Sequence, residues 1–265
     1  MPAAHASQSF DTQSLPISVR ESVWLGDDLV HDGHPTISTG FDLLDASLPG
    51  GGWPTRALTE VLTAQAPLCE WRLLGRSLPS LVQNGGQILL VAPPQQPHAG
   101  GLAQLGVPAD QIVWIQAKTP AERLWVTEQL VKSNPRGAVL SWLPQVRSDQ
   151  IRRLQVHAQS CQSPVFLFRP LNAQREASPA PLRTLVSLGT GWNIDVRILK
   201  RRGTPCHDVL ELQAIPGRLS QVLPPRLRRL DTDFAIPLRR EEATDDRHLG
   251  RTATAQDQHR VLHRH

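Results

Sequence analysis

Between residues 37 and 170, short continuous apolar runs alternate with longer amphipathic ones, and this alternation is the strongest constraint on the fold. The apolar runs lie at 57–62, 87–92, 111–116, 137–143 and 164–169. Strands that are apolar throughout are typical of parallel sheets buried on both faces. Helical segments between such strands predict an α/β fold, with a mainly parallel sheet flanked by helices.

The segments between the predicted strands carry helix signals. Thr119 and Glu122 form a capping-box pattern around Pro120, which favours a helix that begins there and ends near 134. Ser148 and Asp149 predict the start of a second helix with an apolar face from Ile151 onward. A third helical run, residues 67–82, is predicted to be interrupted at its internal proline at position 79.

The pattern changes after residue 169. A polar loop at 170–181 precedes apolar runs at 182–188, 194–200 and 209–213, which we interpret as antiparallel additions to the sheet edge. The predicted organisation is therefore an N-terminal arm (1–36), a core (37–215), a segment rich in Arg, Leu and Pro (216–238) and a tail (239–265). The tail has almost no apolar residues and is predicted to be disordered.

The amino-acid composition limits the classes of protein to which the chain can belong. The chain has 28 positive residues, of which only three are lysines, and a formal net charge of +4. This charge permits an anionic partner but does not require one. Three scattered cysteines argue against a disulfide framework, and no leader peptide or membrane-spanning run is apparent. These features favour a cytoplasmic protein.

A phosphate-binding loop would be expected after the first strand of the core, with glycines, a lysine and a Ser/Thr at defined positions. Residues at this place lack that pattern. The strand at 137–143 lacks a terminal aspartate for Mg²⁺, and the strand at 87–92 ends in two prolines. We predict a degenerate nucleotide site with no catalytic residue, cofactor or metal. Its residues are Thr63, Ala64, Gln65, Ala66, Pro67, Leu68, Cys69 and Glu70.

The other candidate site residues can each be interpreted in two ways, as part of the ordinary structure or as part of a functional site. Cys69, at a helix start, is either a small buried residue, which we favour, or a thiol of lowered pKa. His31 and His34 flank Asp32 in what is more simply a turn than a metal site. His98 and His157 are isolated histidines. The glycine-rich run at 49–54 precedes the first core strand and is interpreted as a tight turn.

Three stretches carry a family resemblance: ISTGFDLLD at 37–45, LPGGGWP at 48–54 and LTEVL at 58–62. They resemble the entry to the RecA-family ATPase core. Together with RILKRRG at 197–203, they are most similar to the ImuA family, over roughly residues 23–238. LGVP at 105–108, SWL at 141–143 and FRP at 168–170 are similar to the cell-division inhibitor SulA. The resemblance implies a RecA-like, P-loop-type fold.

The resemblance to ImuA implies a non-catalytic accessory protein of SOS-induced mutagenic translesion DNA synthesis, nucleoid-associated during DNA damage. It implies ImuB, a Y-family polymerase-like protein, as partner, with RecA and, indirectly, an error-prone C-family DNA polymerase. Alternatives are a SulA-like inhibitor and, least favoured, an active ATPase; weak direct DNA binding stays open. We expect partner contacts at Trp24, Leu223, Arg226, Leu227, Arg228, Arg229 and Leu230.

Overall fold

The computed structural model of the chain describes residues 35–64, 66 and 69–224. These residues belong to one compact unit, Met1–Thr232, whereas a second unit, Asp233–His265, lies outside the described residues. Most of the predicted arm and C-terminal segment, and the whole tail, also lie outside them, so the predicted domain boundaries stay predictions. Within the described part of the chain, no helix has the length and apolar composition needed to cross a membrane.

Within the described residues, ten strands build two sheets. The first is a two-stranded antiparallel ribbon, and the second contains eight strands in the order β10-β9-β8-β3-β7-β6-β4-β5. The ribbon consists of β1 (Thr36–Ile37) and β2 (Trp53–Pro54). The large sheet consists of β3 (Leu58–Thr63), β4 (Gln87–Val91), β5 (Ile112–Ile115), β6 (Gly137–Trp142), β7 (Val165–Pro170), β8 (Leu182–Leu188), β9 (Asn193–Lys200) and β10 (Val209–Gln213).

All pairings from β5 across to β8 are parallel, and β9 runs antiparallel to both β8 and β10. The predicted α/β fold with a mostly parallel sheet is therefore confirmed. The prediction of antiparallel additions is wrong for β8, which pairs parallel with β3, and holds for β9, which runs against both of its neighbours. The first strand of the sheet, β3, lies in its interior between β7 and β8. All six residues of this strand are buried, including the three polar ones.

Helices cover both faces of the sheet. They are α1 (Asp42–Ser47), α2 (Glu70–Leu74), α3 (Leu78–Val82), α4 (Ala99–Gln104), α5 (Pro120–Ser133), α6 (Ser148–Ala158) and α7 (Leu219–Val222). Apolar residues of α1 to α4 pack with one face in a cluster that includes Leu44, Leu74 and Leu102. Residues of α5 and α6, among them Leu124 and Leu154, pack with the other.

Three helix predictions can be compared directly with the structure. The prediction at Ser148 is confirmed, because α6 begins there and buries Ile151. The capping box at Thr119 is present: its hydroxyl accepts from the Glu122 backbone N–H, and the Glu122 carboxylate accepts from that of Thr119. The interruption predicted at Pro79 is wrong in position. The break falls between α2 and α3, and Pro79 lies in the first turn of α3, where its missing N–H costs no helical hydrogen bond.

Candidate functional site

The carboxyl end of β3 is where a parallel α/β sheet would place a ligand. The strand ends at Thr63, and α2 begins at Glu70. A strand, a short connection and a helix in this order form the framework of a phosphate-binding loop. Of the predicted residues in this connection, Gln65, Pro67 and Leu68 lie outside the described residues. Thr63, Ala64, Ala66, Cys69 and Glu70 are described.

Glu70 is fully buried at the start of α2. One carboxylate oxygen accepts a hydrogen bond from the Cys69 backbone N–H at 3.1 Å, and the other accepts from the Trp142 indole at 3.3 Å. Burial raises the pKa of Glu70, and these hydrogen bonds partly offset that rise. The carboxylate therefore uses a backbone N–H at a helix start, the kind of group that would otherwise bind an anion.

Aromatic side chains pack beside this carboxylate. Trp142 ends β6, at the place where an aspartate for Mg²⁺ would have been expected. Its ring stacks on Phe168 with 4.6 Å between ring centroids, and it lies 6.3 Å from the ring of Trp71. Trp142 and Phe168 are buried. An apolar side chain thus stands where metal chemistry would need an oxygen ligand.

Cys69 is buried, in agreement with the interpretation we favoured from the sequence. Burial, together with the neighbouring Glu70 carboxylate, raises the pKa of the thiol to about 11. The alternative of a lowered thiol pKa is therefore wrong. A helix start does not activate this thiol, because the buried surroundings and the nearby negative charge disfavour a thiolate.

The isolated histidines have structural roles. The Nδ1 atom of His98 accepts from the Gly101 backbone N–H at 2.9 Å and caps α4. The His157 ring lies 3.3 Å from a carboxylate oxygen of Glu128. His31, Asp32 and His34 lie outside the described residues, as do His259, His263 and His265. Within the ranges that the structure describes, no group of three His, Cys, Asp or Glu residues could hold a metal.

The glycine-rich run contributes to the ribbon. Gly52 precedes β2 and lies against β1, so that a Cβ at this position would come within 2.4 Å of the Ile37 carbonyl oxygen. Trp53, the next residue, is fully buried against Phe166 in an edge-to-face contact at 5.3 Å. The run is therefore needed for close backbone approach and for the placement of Trp53, in keeping with the predicted turn.

A buried charge cluster at the same end of the sheet was not found from the sequence. Glu60, in β3, is fully buried between arginines of the two neighbouring strands. One carboxylate oxygen accepts from Arg169 Nη1 and the other from Arg183 Nε, each at 2.7 Å. Arg169 also donates to the Glu176 carboxylate at 2.6 Å. The sequence does contain a signal for this cluster, since Glu60 lies inside an apolar run and each arginine lies near the end of another apolar run.

The two arginines also fix the segment after β7. This segment, which we predicted as a polar loop, contains a 3₁₀ helix at Leu171–Arg175. Arg183 donates to the backbone carbonyls of Ala173 at 2.8 Å and Glu176 at 3.2 Å. Arg169 donates to the Val146 carbonyl at 3.0 Å, which ties the cluster to the connection before α6. The charges therefore hold several connections at the carboxyl edge.

The predicted partner contacts are largely untested. Leu223 is half-buried directly after α7. The other six residues, Trp24, Arg226, Leu227, Arg228, Arg229 and Leu230, lie outside the described residues.

The sheet and its edge define an α/β protein with a mixed, mostly parallel sheet. No family model matches the chain. It is 29% identical over 110 residues to Cell division inhibitor SulA of Photorhabdus laumondii, covering 40% of this chain and 62% of that protein. Against SulA of Serratia marcescens it is 30% identical over 105 residues, with coverages of 38% and 61%. SulA of Yersinia pestis (strain Pestoides F) is 27% identical over 107 residues, with coverages of 40% and 64%.

The chain thus spans less than two thirds of the length of each of these three relatives. The comparisons support a partial similarity to SulA.

Proposed function

We propose that this protein is a non-catalytic accessory protein with a RecA-like fold that acts in the SOS response through protein partners. In the finer form of the proposal, it belongs to the mutagenic translesion synthesis complex and binds ImuB and RecA. The observation that carries the proposal is the carboxyl end of β3, where the buried Glu70 carboxylate bonds to the start of α2 and to the Trp142 indole.

This arrangement disfavours nucleotide chemistry. A triphosphate placed at the start of α2 would face the Glu70 carboxylate, and like charges in a buried site repel strongly. The Cys69 N–H that could help to bind a phosphate already donates to Glu70. Trp142 and Phe168 bring an apolar surface to the same edge. These contacts support a role that uses the fold as a binding scaffold.

The place in the SOS response is supported by two kinds of similarity. The chain is partly similar to SulA, and the stretches at 37–45, 48–54 and 58–62 resemble the RecA and ImuA families. In the structure these three stretches form β1, α1, β2 and β3, which lead to the edge described above.

Co-purification tests the proposal. We would express the tagged full chain with ImuB and, separately, with RecA, and measure ATP hydrolysis on the same purified samples. The proposal expects stoichiometric recovery of ImuB and no ATP turnover by the chain alone. If neither ImuB nor RecA is recovered with the chain, this result would contradict the accessory role. ATP turnover that disappears on replacing Glu70 with Gln would contradict the non-catalytic one.

A SulA-type inhibitor of cell division is the second candidate, favoured by the 27–30% identity to three SulA proteins. Overexpression separates the two candidates. An inhibitor of division produces filamentous cells, whereas an accessory protein leaves cell length normal. The Glu60→Gln variant, which is expected to disturb the fold, serves as a control that any filamentation requires the folded protein.

A further inference from the structure

An open apolar groove lies between α2, α4 and α7, away from the Glu60 charge cluster. Its volume is about 500 Å³. Its apolar lining includes Trp71, Leu102, Leu105, Pro216, Leu219 and Val222. Two of these side chains are unusually exposed for aliphatic residues, since Leu219 is 38% and Val222 is 78% accessible. Contiguous exposed apolar surface of this kind often marks an interaction site.

The polar residues of the groove bring positive charge. Arg72 and Arg218 line it together with His98, and among the described residues that line it there is no carboxylate. His98 Nδ1 accepts from the Gly101 N–H, so its Nε2 is left as the atom that can donate to a ligand. An apolar floor with cations and donors at its rim is complementary to aliphatic side chains flanked by carboxylates.

We infer that this groove binds a partner-protein segment in which aliphatic side chains alternate with carboxylates. The inference rests on the proposed function in one respect, because it takes the partner to be a protein. Charge argues against occupation by the chain's own residues 225–238. In this segment Arg226, Arg228 and Arg229 outnumber Asp231 and Asp233, so its net charge has the same sign as the groove. A segment with carboxylates and no arginines matches the groove better.

Fluorescence polarisation with three labelled synthetic peptides tests the inference. The first peptide alternates Leu with Asp and Glu. The second keeps the Leu residues and replaces the acids with Lys, and the third keeps the acids and replaces Leu with Ser. We expect the full chain to bind the first peptide about tenfold more tightly than either of the others.

Variants assign the binding to the groove. Val222→Asp and Arg218→Glu change exposed residues, and each should lower the affinity of the chain for the acidic peptide about fivefold or more. Arg218→Glu should also raise the affinity for the Lys peptide. Val156→Asp is the matched control, because Val156 is 57% accessible on α6 and does not line the groove. It should bind like the unmodified chain.

Three results would overturn the inference. One is failure to bind the acidic peptide at millimolar concentration, and another is equal affinity for the acidic and Lys peptides. The third is binding that appears only in a chain ending at Pro224, since this would assign the groove to the chain's own later residues. Peptide binding does not depend on ImuB, so failed co-purification with ImuB would contradict the proposed function and leave this inference standing.

Discussion

Three buried charges meet at the carboxylate of Glu60, and they are stable only while they stay together. Glu60 accepts from Arg169 and Arg183, which are themselves buried. Replacing Glu60 with Gln keeps the shape but leaves two guanidinium groups without their shared counter-charge. Breaking a buried ion pair in this way costs about 3–5 kcal/mol. We therefore expect a loss of that size in the free energy of unfolding, measured by urea denaturation followed by circular dichroism.

An exposed ion pair provides the control for this prediction. Asp149 pairs with Arg147 at 3.2 Å, and both side chains are largely accessible to solvent. Asp149→Asn should leave the urea midpoint essentially unchanged, because water screens such pairs. Equal effects of the two substitutions would contradict the importance that we assign to the buried cluster.

Glu70 makes the stability of the protein depend on pH in a defined direction. Burial raises its pKa in the folded state above the ordinary value of 4.5. The folded chain then binds a proton more tightly than the unfolded chain, so stability falls as the pH rises from about 4.5 through the folded-state pKa. Glu70→Gln removes this loss. Relative to the unmodified chain, the variant should therefore gain stability as the pH rises from 4 to 8, by about 1.4 kcal/mol for each unit of pKa shift. This gain adds to a pH-independent loss, because the Gln NH₂ group cannot accept one of the two hydrogen bonds that the carboxylate accepts.

Glu122 should change the pH dependence of stability in the opposite direction to Glu70, and it serves as the comparison. Hydrogen bonds from the backbone of Thr119 and Lys118 lower its pKa, so its contribution is present above the ordinary carboxyl pKa and is lost as the pH falls. Glu122→Gln should lose stability relative to the unmodified chain as the pH rises. Urea midpoints of the three proteins across this pH range check both trends. Parallel curves for the two variants would contradict the prediction.

Among the elements, α5 depends most visibly on a local sequence signal. Thr119 accepts from the Glu122 N–H at 3.2 Å. Thr119→Ala leaves that N–H without its cap and should cost about 0.5–2 kcal/mol of unfolding free energy. Thr204→Ala, at an exposed threonine outside the helices and strands, is the control and should change little. A thermal or urea midpoint unaffected by Thr119→Ala would show that packing alone holds α5.

The elements that could be predicted are those with a strong local pattern. The eight strands described for the large sheet were predicted within one or two residues, because apolar runs identify the buried strands at its centre. The edge strands β5 and β10 are less buried. The ribbon and the short helices α1, α4 and α7 were missed. The start of α1 depends on a specific contact, in which the Asp45 carboxylate accepts from the Thr39 N–H and the Ser38 hydroxyl. A six-residue helix has little periodicity to reveal it.

The position of the candidate site could be predicted from the sequence, but its side-chain contacts could not. The connection after β3 could be found by its position, and the missing lysine and glycines by inspection. The Glu60 cluster depends instead on register, because its arginines are 109 and 123 residues away along the chain. The contact of Glu70 with Trp142 likewise joins the start of α2 to the end of β6, which are 72 residues apart along the chain. Single-sequence patterns do not contain these pairings.

At the scale of the whole molecule, the sheet is completed well before the described chain ends. Its last strand, β10, ends at Gln213, but the next two residues still belong to the core. Ala214 is buried and donates its N–H to the Trp192 carbonyl at 3.0 Å, and Ile215 is buried beside it. Residues 216–224 then lead through α7 along the apolar groove. A truncation before residue 216 therefore removes part of the core, whereas a truncation after residue 224 leaves the described core and the groove in place.

Two truncations make this distinction measurable. A chain ending at Pro224 keeps all eight strands and the groove, so we expect its urea midpoint to match that of the full chain. A chain ending at Gln213 loses the burial of Ile215 and the hydrogen bond of Ala214, which together should cost about 2–4 kcal/mol. Equal midpoints for the two truncated chains would contradict this placement of the core boundary. Because the shorter chain loses stability and the groove together, only the longer one can show whether residues 225–265 bind a partner.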